Sequence, residues 1–146
     1  MAVTEPALIV AQKLHGVGGL VLGNGATPTA NLFAGMVKPA DPASGVPEAA
    51  VFVRASGGAA PEPYFVGPSG AKTSWWRPSV QVVVRGNKDA EDTARQLAST
   101  IRTTLHRTTL TGYMSCLVRE SAPVEVGNDD DGHPLFTLNV ELWYKE

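Results

Sequence analysis

The chain has 146 residues, 43% hydrophobic and 18% charged, which is the size and composition of one globular domain able to bury a core without staples. A net charge of −2 with no cluster of lysine or arginine speaks against tight nucleic-acid binding, though not against DNA passing close by. Cys116 is the only cysteine, so no intramolecular disulfide can form and the residue reads as a small apolar strand position. Glu5 stands where a secretion signal wants positive charge, and no apolar run approaches the ~20 residues of a membrane span. The expectation is a soluble protein made inside a cell, with no membrane partner.

In chain order, Thr4 to Leu14 reads as a helix, with Thr4 as its cap and Pro6 at an early position where a missing N–H is tolerated. Leu8, Ile9, Gln12 and Leu14 form its loose apolar face, and Gly16 suits the residue after its end. Glycine-rich sequence follows, with a short strand at Asn31 to Met36. The three prolines of "VKPADPASGVPEA" mark a loop. Ala50 to Ser56 reads as a strand of β-branched and aromatic residues. Gly57 to Thr73 reads as a long loop of glycine, proline and alanine, with Tyr64 to Val66 as a brief extended piece.

Ser79 to Arg85 is the clearest strand, and Val80, Val82, Val83 and Val84 make it a central one. Gly86 and Asn87 turn the chain, and Asp89 is placed to cap the next helix. Ala90, Ala94, Leu97, Ala98, Ile101 and Leu105 fall on one face of that helix. Tyr113 to Glu120 reads as a strand. "PVEVGNDDDGHPLF" reads as a wide hairpin loop, and Leu135 to Tyr144 as a strictly alternating final strand. The pattern predicts a single α+β domain over 1–146: a mostly antiparallel, mixed sheet of about four to five strands with helices packed on one face.

Candidate chemistry is sparse. Asp129, Asp130 and Asp131 lack the alternating acids and closing glutamate of a calcium loop, and read as a solvated hairpin tip. His15, His106 and His133 share no metal-ligand spacing; His133, beside Asp131, could serve as a general base but has no nucleophile with local context and reads as a surface histidine. The glycine-rich stretch after residue 16 has no Gly-Lys-Ser/Thr phosphate cradle. The helix that follows "VRGN" opens with Asp89, Glu91 and Asp92, which would repel a phosphate. No catalytic, cofactor-binding or metal-binding residue is expected. The tandem Trp75 and Trp76 either pin the long loop on the core or anchor an interface. With Tyr64, Phe65 and Arg77 nearby, the second reading makes these five residues an intersubunit contact.

Five pieces in this order resemble the tail terminator proteins of tailed bacteriophages, the minor capsid or tail completion group. They are the N-terminal helix with its glycine-rich sequel, "AVFVRASGGAAP", "RPSVQVVVRGNKDAEDTARQLASTIRTTL", "YMSCLVRESAPVEVGNDDDG" and "HPLFTLNVELWY". The third is the most specific, and Glu62 to Trp76 departs from the group in being longer and more aromatic. The resemblance implies a tail-terminator-like fold, without turnover or cofactor, assembled as a hexameric ring at the head-proximal end of the tail. Such a ring stops tail-tube polymerisation, meets the tube protein and the head connector or neck protein, and lets DNA through its lumen without specific binding. It belongs to the virion at the head–tail junction and is assembled in the host cytoplasm. Under that reading Asp129, Asp130 and Asp131 face the lumen, where negative potential discourages DNA from sticking. A head-completion or neck adaptor is the alternative in the same setting. A small cytosolic enzyme or ligand-binding domain is the alternative from another class, and would need a pocket with convergent polar groups.

Overall fold

The computed structural model describes residues 5–23, 30–35, 48–66 and 72–145. Its elements are α1 (Pro6–Leu14), a 3-10 turn (Val17–Gly19), β1 (Leu32–Ala34), β2 (Ala50–Val66), β3 (Lys72–Arg85), α2 (Glu91–Leu105), β4 (Ser115–Val118), β5 (Val124–Asn128) and β6 (Pro134–Lys145). The strands form one mixed sheet in the order β1-β2-β3-β6-β4, with β5 also paired to β6. Among the described strands β1 and β2 run parallel, and the other strand pairings are antiparallel; a short parallel bridge of Leu22 to Leu32 borders β1. Because β3 occupies one side of β6 along most of its length, β4 and β5 share the other. The α+β expectation holds, with six strands among the described residues in place of four or five.

Strand periodicity decides which face the helices cover. Val80, Val82 and Val84 of β3 lie beside Val140, Leu138 and Phe136 of β6, and all six are buried. Val51 and Val53 of β2 join them. Against this face α2 packs Ala94, Ala98, Ile101 and Leu105, the stripe expected from its 3.6-residue repeat. α1 packs Ala7, Val10, Ala11 and Leu14. Its buried face is therefore not the one read from Leu8 and Gln12, which are exposed. Gly16 follows α1 in the left-handed conformation, as expected of a residue just past a helix end. On the opposite face of the sheet Ala30, Phe33, Ala50 and Phe52 form a second, smaller cluster with Val83, and the Phe33 and Phe52 rings stack at 5.7 Å.

Both helix caps differ from expectation. α1 is capped by Glu5, whose carboxylate accepts from the Ala7 and Leu8 amides at 3.1 and 2.9 Å; Thr4 and the strand residue Met36 lie outside the described residues, as does most of the proline-rich loop. α2 starts at Glu91 with Ala90 in the cap position and no side-chain cap bond. Asp89 instead takes a positive φ of 61° inside the turn closed by the Ala90 amide on the Asn87 carbonyl. Aspartate tolerates that left-handed region better than most residues, so the turn claims it.

Two expected loops are strands. Of Gly57 to Thr73, the described residues 57–66 and 72–73 are strand rather than loop, β2 and β3 pairing out to Val66 and Lys72, and 67–71 lie outside the described residues. Three register shifts interrupt the pairing, between Ala55 and Gly58, Ala59 and Glu62, and Pro63 and Phe65. Each shift resets which residues share a face, so the two-residue alternation that marks a strand is lost. The other is β5, inside the supposed hairpin loop, where Val124 and Glu125 lie opposite Thr137 and Phe136. All five of its residues are exposed, and its alternation is confined to Val124, Glu125 and Val126 before Gly127, too short a run to announce a strand.

Candidate assembly surfaces

The far end of the sheet is aromatic. The β3–β6 register sets Trp76 beside Tyr144 and Trp75 beside Lys145. Trp76 stacks on Tyr144 at 6.2 Å and 10°, and Tyr113 meets Tyr144 edge-on at 5.7 Å, on the helix-bearing side. On the other side Trp75 meets Trp143 edge-on at 6.2 Å, and the Arg77 guanidinium lies 5.2 Å from the Trp143 ring. Both tryptophans are half-buried. They are thus fastened to β6 of their own chain while keeping part of their surface outward. Tyr64 and Phe65 lie on β2 opposite Ser74 to Lys72, near the two tryptophans in the ladder. Trp143 and Tyr144 complete this cluster and escaped the sequence reading, because only the strand register brings them beside the tandem tryptophans.

Beyond Trp75 β2 and β3 leave the support of β6, and the two strands have only each other among the described residues. We term the paired residues 54–66 and 72–77 of these two strands the arm. Pro61 and Pro63 fit in β2 because, past Val53, no described strand pairs with its outer side and their missing N–H groups cost no ladder bond. Gly58 allows the first bulge, since a Cβ there would run into the Arg77 carbonyl oxygen and stand 2.8 Å from the Ser79 nitrogen.

The acidic tip lies at the opposite end of the sheet, in the turn between β5 and β6. Asp129 is structural: its Oδ1 accepts from the Asp131 and His133 amides at 3.0 and 2.9 Å, and its own amide donates to the His133 carbonyl. Burial alone would raise its pKa, but those two amides, with His133 and Arg85 close by, hold it below the ordinary carboxylate value. Gly132 takes the positive φ the turn needs, and Asp130 and Asp131 are exposed. The hairpin-tip reading is right, and the acids are not equivalent. His133 is not a surface residue: it is buried, and its Nδ1 donates to the Gly86 carbonyl at 3.0 Å. Beside it Arg85 is buried too, donating from Nε to the Glu48 carbonyl at 2.6 Å and lying over the Phe52 ring. No local motif could have announced this pairing, because Gly86 and His133 meet only through the fold.

The two sides of β6 treat their edges differently. The outward groups of β4 are taken by the chain's own turn after α2: the Arg107 amide donates to the Cys116 carbonyl, and the Val118 amide to Nδ1 of His106. β5 has no such cover among the described residues, apart from the ion pair of Arg95 with Glu125 at 3.6 Å. Cys116 is buried and its thiol is pushed up to about 11 by that burial, which keeps it inert. A cleft of about 260 Å³ beside it is lined by hydroxyls, Arg107 and this thiol, without an acid–base pair. Among the described residues no group of His, Cys, Asp and Glu could hold a metal ion, and no helix is long and apolar enough to cross a membrane.

No curated protein matches the chain. The model of the family described as bacteriophage tail terminator protein matches residues 13–146, from the end of α1 through β6, so the chain belongs to that family of structural phage tail proteins.

Proposed function

We propose that this chain forms a ring, of six copies by its family resemblance, at the head-proximal end of a phage tail. There it ends polymerisation of the tail tube and offers the docking surface for the head connector. The role is structural, without turnover or cofactor, and is played in the virion after assembly in the host cytoplasm. The observation that carries the reading is the family match over nearly the whole chain.

The geometry suits the role. A ring needs two different surfaces on each copy, related by a rotation that closes. The arm and its aromatic base stand at one end of the sheet, and the uncovered β5 at the other, on the opposite side of β3 and β6. In the assembled ring Tyr64, Phe65, Trp75, Trp76 and Arg77 contribute to the contact between copies, with the outward surface of the tryptophans buried there. Asp130 and Asp131, exposed at the tip and supported by the turn of Asp129, face the DNA conduit and keep it electronegative.

The test is tail length by electron microscopy after deletion of the gene in its phage. Tails of uncontrolled, excessive length beside free heads are expected. Tails of normal length that fail to join heads would move the chain to the neck, and intact infectious particles would overturn a structural role.

A further inference from the structure

We propose that the arm of one copy lies against β5 of the next copy and covers Val124 and Val126. This rests on the ring reading and adds to it the surface that receives the arm. Val124 and Val126 are 44% and 57% exposed, on a strand with no buried residue. Its neighbour β4 has its outer side closed by His106 and Arg107, whereas β5 lacks such a cover among the described residues. Two apolar positions one residue apart, left open on an edge strand, are what soluble proteins avoid unless something covers them.

Charge points to a second copy of this chain as the cover. Residues 120–132 carry Glu120, Glu125, Asp129, Asp130 and Asp131 and no basic residue, so the segment stays net negative even with Arg95 paired to Glu125. Residues 54–77 carry Arg54, Lys72 and Arg77 against Glu62 alone. The two segments therefore attract each other through opposite fields, which steer encounter and fix register. Within one chain they cannot meet. β3 and β6 lie between β2 and β5, so three strand spacings separate them by ~14 Å, and their free portions lie towards opposite ends of the sheet. The contact is thus heterologous, the kind that closes a ring. It is made by side chains rather than by a continued ladder, since Pro61, Pro63 and three register shifts guard the outer side of β2. Reach is sufficient: at ~3.3 Å per residue, Ala55 to Val66 spans ~40 Å, against ~16 Å for β5.

The test is disulfide trapping in virions. Val126→Cys is paired in turn with Ser56→Cys, Ala59→Cys and Ala60→Cys, all exposed positions. The native thiol is buried and does not compete. Only variants whose purified chain melts as the wild type are used, and each pair is also read in rings formed from purified chain, so that one blocking phage growth is still scored. Mild oxidation should give, for at least one pair, a ladder of covalent multimers of this chain alone, reversed by reductant and absent from single-cysteine controls. Rings that yield only monomer with all three pairs would overturn the proposal while leaving the ring reading intact. Trapping of Val126→Cys to a different virion protein would likewise overturn it. Virions whose tail end carries no ring of this chain would remove both.

Discussion

Gly58 and Gly57 are adjacent, both have positive φ, and they should respond differently to the same substitution. At Gly58 (φ 118°) a Cβ would meet the Arg77 carbonyl oxygen and the backbone of Pro78 and Ser79; at Gly57 (φ 82°) nothing lies within 4 Å. Gly57→Ala adds only backbone strain, about 1–2 kcal/mol. Gly58→Ala adds a backbone collision to similar strain, so it is expected to cost more, up to about 3 kcal/mol, and to shift the register of the arm. Urea denaturation measures the difference, and amide exchange in the arm should rise for Gly58→Ala alone. Equal losses for both would mean that the bulge does not depend on the close approach. Asp129 offers a second test. Its folded pKa is depressed, so its contribution is present above the ordinary carboxylate value and lost as the pH falls through the depressed one. Asp129→Asn keeps an oxygen for the Asp131 and His133 amides while removing the titration. The acid limb of the stability profile should flatten, with little change at neutral pH. An unchanged acid limb would place that dependence elsewhere.

At the scale of elements, what the sequence made legible follows from what periodicity can see. α2 was readable because Ala94, Ala98, Ile101 and Leu105 repeat at helical spacing and all four are buried. Ile101→Ala is therefore expected to cost about 2–5 kcal/mol, and Thr100→Ala, one residue away on the exposed face, less than about 0.5 kcal/mol. Comparable losses at both would contradict the packing described. β6 was readable for the same reason, as its buried and half-buried residues alternate from Pro134 to Tyr144 with a single break at the end. The arm was hidden because its register shifts three times, and β5 because its alternation lasts only from Val124 to Val126 before Gly127. Capping of α1 by Glu5 was hidden because glutamate is not a favoured capping residue, and Pro6 drew attention to Thr4 instead. Trp75, Trp76 and Arg77 stood out by type alone. Their partners Trp143 and Tyr144 needed the β3–β6 register, which no local window contains.

At the scale of the molecule, the core that welds the helices to the sheet also sets an alkaline limit. Cys116 and Tyr113 lie where the end of α2, β4 and β6 converge, both buried. Burial pushes the Cys116 thiol from about 9 to about 11 and, with the neighbouring Tyr144 and Glu5, the Tyr113 phenol from about 10 to about 12. Both groups hold their protons more tightly folded than unfolded. Their contribution is therefore complete below pH 9 and declines as the pH rises, first through the cysteine window and then through the tyrosine one. The isolated chain should show a flat melting temperature near neutrality and a fall between pH 9 and 12. Tyr113→Phe keeps the edge-on contact with Tyr144 and removes the ionisation, so it should flatten the upper part of that fall and leave the lower part, which belongs to Cys116. Because both groups sit in the core rather than on the arm or β5, the same limb should appear in the monomer and in the assembled ring. A limb that vanished on assembly would instead place Tyr113 at the contact between copies.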